Sequence, residues 1–183
     1  MSHDKLLRMT TAAIFAAFLC ALSPITIPLS GTVPFAMQIF AVMLCAVTLD
    51  WATAQLAVLI YLLLGLFLPI FSNGNTGLSA IPGPTGGYIW SYLLMVPIIT
   101  LAQKLRLKQR WQEYAAAFCG CLLGIALCYC CGTAQFSLLI GKSFGKSLTI
   151  CVVPFIGFDL LKALAASVLG VEMRHILKKK ANA

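Results

Sequence analysis

An all-helical integral membrane protein with six transmembrane helices is the fold class this sequence predicts, and three observations predict it. The chain is 61% hydrophobic and 10% charged, with mean hydropathy +0.96, whereas a soluble domain spends about a quarter of its residues on Asp, Glu, Lys and Arg. Its apolar residues fall into runs of about 16 to 24, enough for a helix to cross a bilayer with some tilt. Its basic residues stand at the ends of those runs, where membrane topology puts them. The net charge of +8 over 183 residues therefore calls for no nucleic acid. A soluble globular enzyme and a disordered chain are both excluded. A single membrane domain over 1–183 is expected.

The first run covers about residues 6–29 and is broken near its end by Pro24 and Pro28. A second, 34–49, and a third, 51–71, join at a tight Asp50-Trp51 turn. The fourth covers 87–103, the fifth 114–131 and the sixth 158–177. Six buried helices of a soluble protein would leave no polar surface to cover them. No convincing internal repeat is visible, which weighs against an inverted-repeat transporter.

Orientation follows from Lys and Arg. Lys5, Arg8, Lys104, Arg106, Lys108, Arg110, Arg174 and Lys178 to Lys180 fall on one side. Only Lys142 and Lys146 fall on the other, and Lys162 lies within a span. Both termini are therefore expected in the cytoplasm, in a multi-pass protein of the cytoplasmic membrane. A cleaved signal peptide over 5–23 is the rival reading, but the apolar run is too long and another span follows it. The outward connections, Ser30–Phe35, Ser72–Gly86 and Gly132–Gly157, are long or rich in Gly, Pro, Ser, Thr and Asn. The middle one carries no charge. Such backbone cannot face lipid, so it must cover protein or line a wet cavity. That suggests the wall of a site open to the outside.

Asp159 and Lys162 are the ionisable residues placed well inside a span. Three apart, they share a helix face and can pair. They admit two readings. One is an N-terminal aspartate favoured by the helix dipole, beside a snorkelling lysine. The other is a ligand clamp beneath the outer loops, because intramembrane charge is costly and usually serves a site. Gln38 falls at a similar depth and adds amide donors and an acceptor. Tyr88, Trp90 and Tyr92 open the fourth span at that level, and Trp90 and Tyr92 read as interfacial aromatic belt.

Eight cysteines invite a redox or metal reading. Cys128 and Cys131 spell C-x-x-C, yet no second thiol pair stands out and no His lies near, so zinc is not expected. Small apolar packing is the better account of these residues. The chain carries no H-E-x-x-H, G-x-S-x-G or Walker A sequence, so neither hydrolysis nor an ATPase is expected.

Several elements occur in a specific order: Val33-Pro34-Phe35-Ala36-Met37-Gln38, Gly65-Leu66-Phe67-Leu68-Pro69-Ile70-Phe71, Gly83-Pro84-Thr85-Gly86-Gly87-Tyr88, and Pro154-Phe155-Ile156 leading to Asp159-Leu160-Leu161-Lys162. In these the sequence resembles the BioY family, the biotin-binding S components of energy-coupling factor (ECF) transporters, over about residues 10–177. Gly157-Phe158 stands where the family commonly has Pro-Gly, so the turn into the last helix is expected to differ. The resemblance implies a six-helix protein that captures biotin from outside and passes it inward. It would dock on a transmembrane T component driven by two ABC-type ATPase subunits. Biotin would be cargo, with no cofactor. The substrate residues it implies are Asn73, Asn75, Gly83, Thr85, Gly86, Gly87, Tyr88, Asp159 and Lys162. The family's A-x-x-x-A docking spacing falls on Ala12/Ala16 and Ala13/Ala17. An S component for another small vitamin, which would need different polar residues on the last helix, and a thiol oxidoreductase using Cys128/Cys131 are the alternatives.

Overall fold

The structure is a computed structural model that describes residues 3–27, 35–105 and 109–181. The expected connection at 30–34 and the basic residues Arg106 and Lys108 lie outside the described residues. So do the side chains of Lys178 and Lys180.

Helix α1 (His3–Leu22) presents Ala12, Phe15, Ala16 and Leu19 to the protein, all buried. That spacing is one helical face. A minimal hairpin follows, with β1 (Thr26–Ile27) antiparallel to β2 (Phe35–Ala36). Helix α2 (Gln38–Thr48) is the centre of the bundle, buried at ten of its eleven positions. Asp50 starts α3 (Trp51–Phe67), accepting hydrogen bonds from the Thr53 amide and, at 2.8 Å, its hydroxyl. A 3₁₀ turn (Ser72–Gly74) and the short α4 (Gly77–Ala80) lead into α5 (Gly86–Ala102), which contains Pro97. Helix α6 (Arg110–Ile140) is the longest. Helices α7 (Phe144–Cys151) and α8 (Ile156–Ala181) complete the chain.

Among the described residues, the α1, α3 and α6 segments are long and apolar enough to cross a membrane. The pair α7–α8, bent by 62°, makes a fourth candidate. The second and fourth runs yield shorter helices of 11 and 17 residues, about 16 and 26 Å at 1.5 Å per residue. The second is short because Phe35 and Ala36 are taken by the hairpin. The fifth run overshoots its expected end at Cys131 and stays helical to Ile140. Gly132 does not break the helix: a Cβ there would strike the ring of Tyr88. Gly141, at φ +67, ends it instead, in the left-handed conformation that suits glycine. Much of the expected loop at 132–157 is therefore helix.

Close approaches hold the bundle together. A Cβ on Gly120 would stand 2.9 Å from that of Ala102, and one on Gly124 would stand 3.1 Å from Ile99, so α6 lies tight on α5. Gly170 brings α8 equally close to Val47 of α2. Small residues at helix crossings permit the van der Waals contact that drives packing in lipid.

Candidate functional site

A cleft of about 550 Å³, counting its open mouth, opens between β2, α2, α5, α6 and the α7–α8 bend. Asp159 and Lys162 lie in its wall, one turn apart near the start of α8 and only 5% and 7% exposed. Lys162 Nζ donates to Asp159 Oδ1 at 2.8 Å and to the backbone carbonyl of Ala36 at 2.7 Å. Its ammonium also sits 3.7 Å from the centroid of the Phe35 ring. Asp159 Oδ2 accepts from the Tyr129 hydroxyl at 2.5 Å. Both charges are thus paired and hydrogen-bonded, the condition for burying them. An ammonium has three donors and each carboxylate oxygen more than one lone pair, so these hydrogen bonds do not saturate either group.

A second polar centre stands opposite. Gln38, 2% exposed, donates through Nε2 to the hydroxyl of Tyr61, which also bonds Ser23 Oγ at 2.6 Å. Its Oε1 accepts from Ser72 Oγ and from Tyr92 OH, each at 3.2 Å. Three residues from three other segments, Tyr61, Ser72 and Tyr92, bond this one amide and lock its orientation, leaving one amide hydrogen unassigned. Thr85 and Tyr88 join the lining, with Ile39, Ile89 and Phe155 as apolar wall. The cleft thus offers an anionic acceptor, a cationic donor, an amide and phenols against an apolar floor. That set suits a small molecule with both N–H groups and oxygens on a hydrophobic body.

The remaining expected site residues are placed differently. Gly83, Gly86 and Gly87 do not line the cleft. Gly86 packs against the carbonyl of Ile81 and the side chain of Gln135, and Gly87 against α6 at Cys131 and Gly132. Gln135 Nε2 spans the carbonyls of Ile81 and Gly83 at 2.7 and 2.9 Å. Gly86 and Gly87 bring the start of α5 onto α6, and Tyr88 and Thr85 beside them line the cleft. Asn73 and Asn75 are exposed and outside the lining. Asn73, at φ 62, accepts from Thr26 Oγ1 at 2.8 Å and so ties the loop to the hairpin. Asn75 donates to the carbonyl of Ser72 at 3.1 Å, holding the turn that presents Ser72.

Tyr92 corrects the aromatic-belt reading. It is 4% exposed and lines the cleft, whereas Trp90 is 47% exposed. Two residues apart, about 200° of helical rotation, the rings point to opposite faces, and Tyr92 finds its polar partner, Gln38, inside. Tyr129, Tyr61 and Ser72 were not singled out from the sequence. A hydroxyl in an otherwise apolar run was the available signal, but its partners lie at least 30 residues away in the chain.

On α1 the two alanine pairs face opposite ways: Ala12 and Ala16 are buried in the protein's own core, and Ala13 and Ala17 are exposed. Cys128 is buried, and its sulfur accepts from Ser91 Oγ at 3.1 Å. All eight cysteines are unpaired.

Comparison with known proteins places this architecture. The sequence model of the BioY family matches residues 1–179. Biotin transporter BioY2 of Lactococcus lactis subsp. cremoris is 31% identical over 178 residues, covering 97% of this chain and 95% of that protein. Biotin transporter BioY of Thermotoga maritima is 31% identical over 170 residues, covering 92% and 96%. Among solved structures, the S-component for biotin from an ECF-type ABC transporter superposes with a TM-score of 0.86 at 26% identity, covering 96% of this chain and 95% of that one.

Proposed function

The chain belongs to the BioY family, and from that premise we propose that it captures biotin as the substrate-specific subunit of an ECF-type transporter. The observation that carries the reading is the buried Asp159–Lys162 pair in the wall of a cleft that also gathers Gln38, Tyr88 and Tyr92. The chain is a transporter component and does no chemistry on its cargo. Biotin has a urea ring with two N–H donors and a carbonyl, a thioether ring, and a carboxylate on a flexible tail. Asp159 accepts a urea N–H and Lys162 donates to a ligand oxygen, while Gln38 and Tyr88 close the polar rim. A competing pose sets Lys162 against the tail carboxylate.

In this reading the single domain crosses the cytoplasmic membrane six times. Helices α2 and α5 serve as short central crossings, and both termini lie inside. The ten cytoplasmic-side Lys and Arg residues support that orientation. A T component docks on the exposed Ala13/Ala17 face, and two ABC-type ATPases supply the energy. The chain binds no cofactor.

Titration calorimetry of biotin into the purified subunit tests the reading directly. Absence of saturable binding would overturn it. The two poses separate on comparing biotin with its carboxyl-amidated analogue in wild type and in Lys162→Ala. An equal amidation penalty in both proteins excludes Lys162 as the carboxylate partner.

A further inference from the structure

Helix α6 has 31 residues, about 46 Å at 1.5 Å per residue. A hydrocarbon core spans about 30 Å and a whole bilayer with headgroups about 40–45 Å. One end carries Arg110 and the exposed Trp111, residues suited to an interface. The opposite end therefore reaches the other headgroup layer. Polar residues are expected there, yet Leu138 is 84% exposed, Leu139 51% and Ile140 40%.

Gly141 then turns the chain into α7, an eight-residue helix bent 62° from α8. If α8 stands near the membrane normal, α7 lies much closer to the membrane plane. Ser147 and Cys151 of α7 are buried against the protein, while Phe144 and Leu148 are exposed. Lys142 and Lys146 are also exposed, and neither forms an ion pair among the described residues. No Asp or Glu occurs between Glu113 and Asp159.

We propose that the α6–α7 elbow is a membrane-interface anchor. Its apolar residues enter the headgroup–acyl boundary, and Lys142 and Lys146 bind the phosphates of anionic phospholipids. A short helix lying near the membrane plane, with apolar side chains between lysines, has the makings of an interfacial segment. Lipid is favoured over a protein partner because the elbow continues the lipid-facing surface of α6 at headgroup depth. The anchor also bears on the site: Cys151 at the end of α7, and Phe155 in the bend beyond, line the cleft. The membrane thus braces one cleft wall.

Hydrogen exchange read by mass spectrometry tests this without any ligand, so its outcome is independent of what the cleft binds. The subunit is placed in nanodiscs of phosphatidylcholine, with or without phosphatidylglycerol. Phosphatidylglycerol should slow exchange over residues 138–151 by about fivefold for each lysine engaged. Lys142→Gln with Lys146→Gln should abolish that lipid dependence, as should high salt, whereas Lys104→Gln should leave it intact. Equal exchange in the two lipids would overturn the proposal. So would a phosphatidylglycerol effect that survives the double substitution, or protection that appears only when the other transporter subunits are added.

Discussion

Two charged clusters sit at opposite ends of this bundle, built from similar residues and put to different use. At the cleft, Asp159 and Lys162 meet at 2.8 Å with side chains 6% and 8% exposed. At the basic end, Glu113 joins Arg174 at 3.1 Å and His175 at 3.0 Å. Arg174 also donates to Gln103 Oε1 at 2.7 Å. Gln103 in turn donates to the carbonyl of Ala46 at 2.5 Å. Beside them, Glu172 takes the Tyr114 hydroxyl and, at 3.4 Å, Arg110, whose side chain is 65% exposed. The basic-end carboxylates join partners that clamp α6 to α8. The cleft pair stands in the wall of the cleft, within reach of a ligand. A buried charge pair in a cleft wall marks a site, and a cluster that only bridges two helices marks a staple.

The largest effect should come from breaking the buried pair one side at a time. Lys162→Ala leaves a buried, unpaired carboxylate, and removing one partner of such a pair costs about 3–5 kcal/mol. Thermal unfolding should fall accordingly, and calorimetry should show biotin affinity reduced at least tenfold to a hundredfold. Replacing both partners with Leu and Met should restore most of the stability and none of the binding. Recovered biotin binding in that double variant would remove the pair from the site.

Next in size is the contrast across α1. Ala16→Trp forces an indole into a filled core, where overpacking costs about 1–3 kcal/mol, and should lower the melting temperature of the isolated subunit. Ala13→Trp, on the free face, should leave melting and biotin binding unchanged while reducing co-purification with the T component. Equal destabilisation by both would mean that the two faces are packed alike.

Tyr129→Phe removes one hydrogen bond to a charged group, worth about 1.5–3 kcal/mol. Biotin affinity should drop about tenfold or somewhat more, read by calorimetry, with the fold retained by circular dichroism. An unchanged affinity would mean that Lys162 alone orients the Asp159 carboxylate.

The smallest effect is expected at the exposed staple. Arg110→Ala disrupts a pair of the kind that contributes about 0.2–1 kcal/mol, so melting should shift slightly and biotin affinity should not change. A loss of affinity there would erase the distinction between the two ends.

The sequence by itself determined the membrane class, the apolar cores of the helices and the shared face of Asp159 and Lys162, because composition and short-range periodicity carry that information. It also placed Gln38 and Tyr88 at the level of the cleft. Periodicity groups residues on a face but does not say what covers that face. Which alanine pair of α1 is buried, and whether Tyr92 looks to lipid or to Gln38, depended on neighbours far along the chain. The same holds for Tyr129, whose partner lies 30 residues on, and for Gly86 and Gly87, whose close approach to α6 no local pattern announces. Only tertiary packing decides these, since a hydrogen bond or a close approach is set by the distance between helices, and no local pattern encodes that distance.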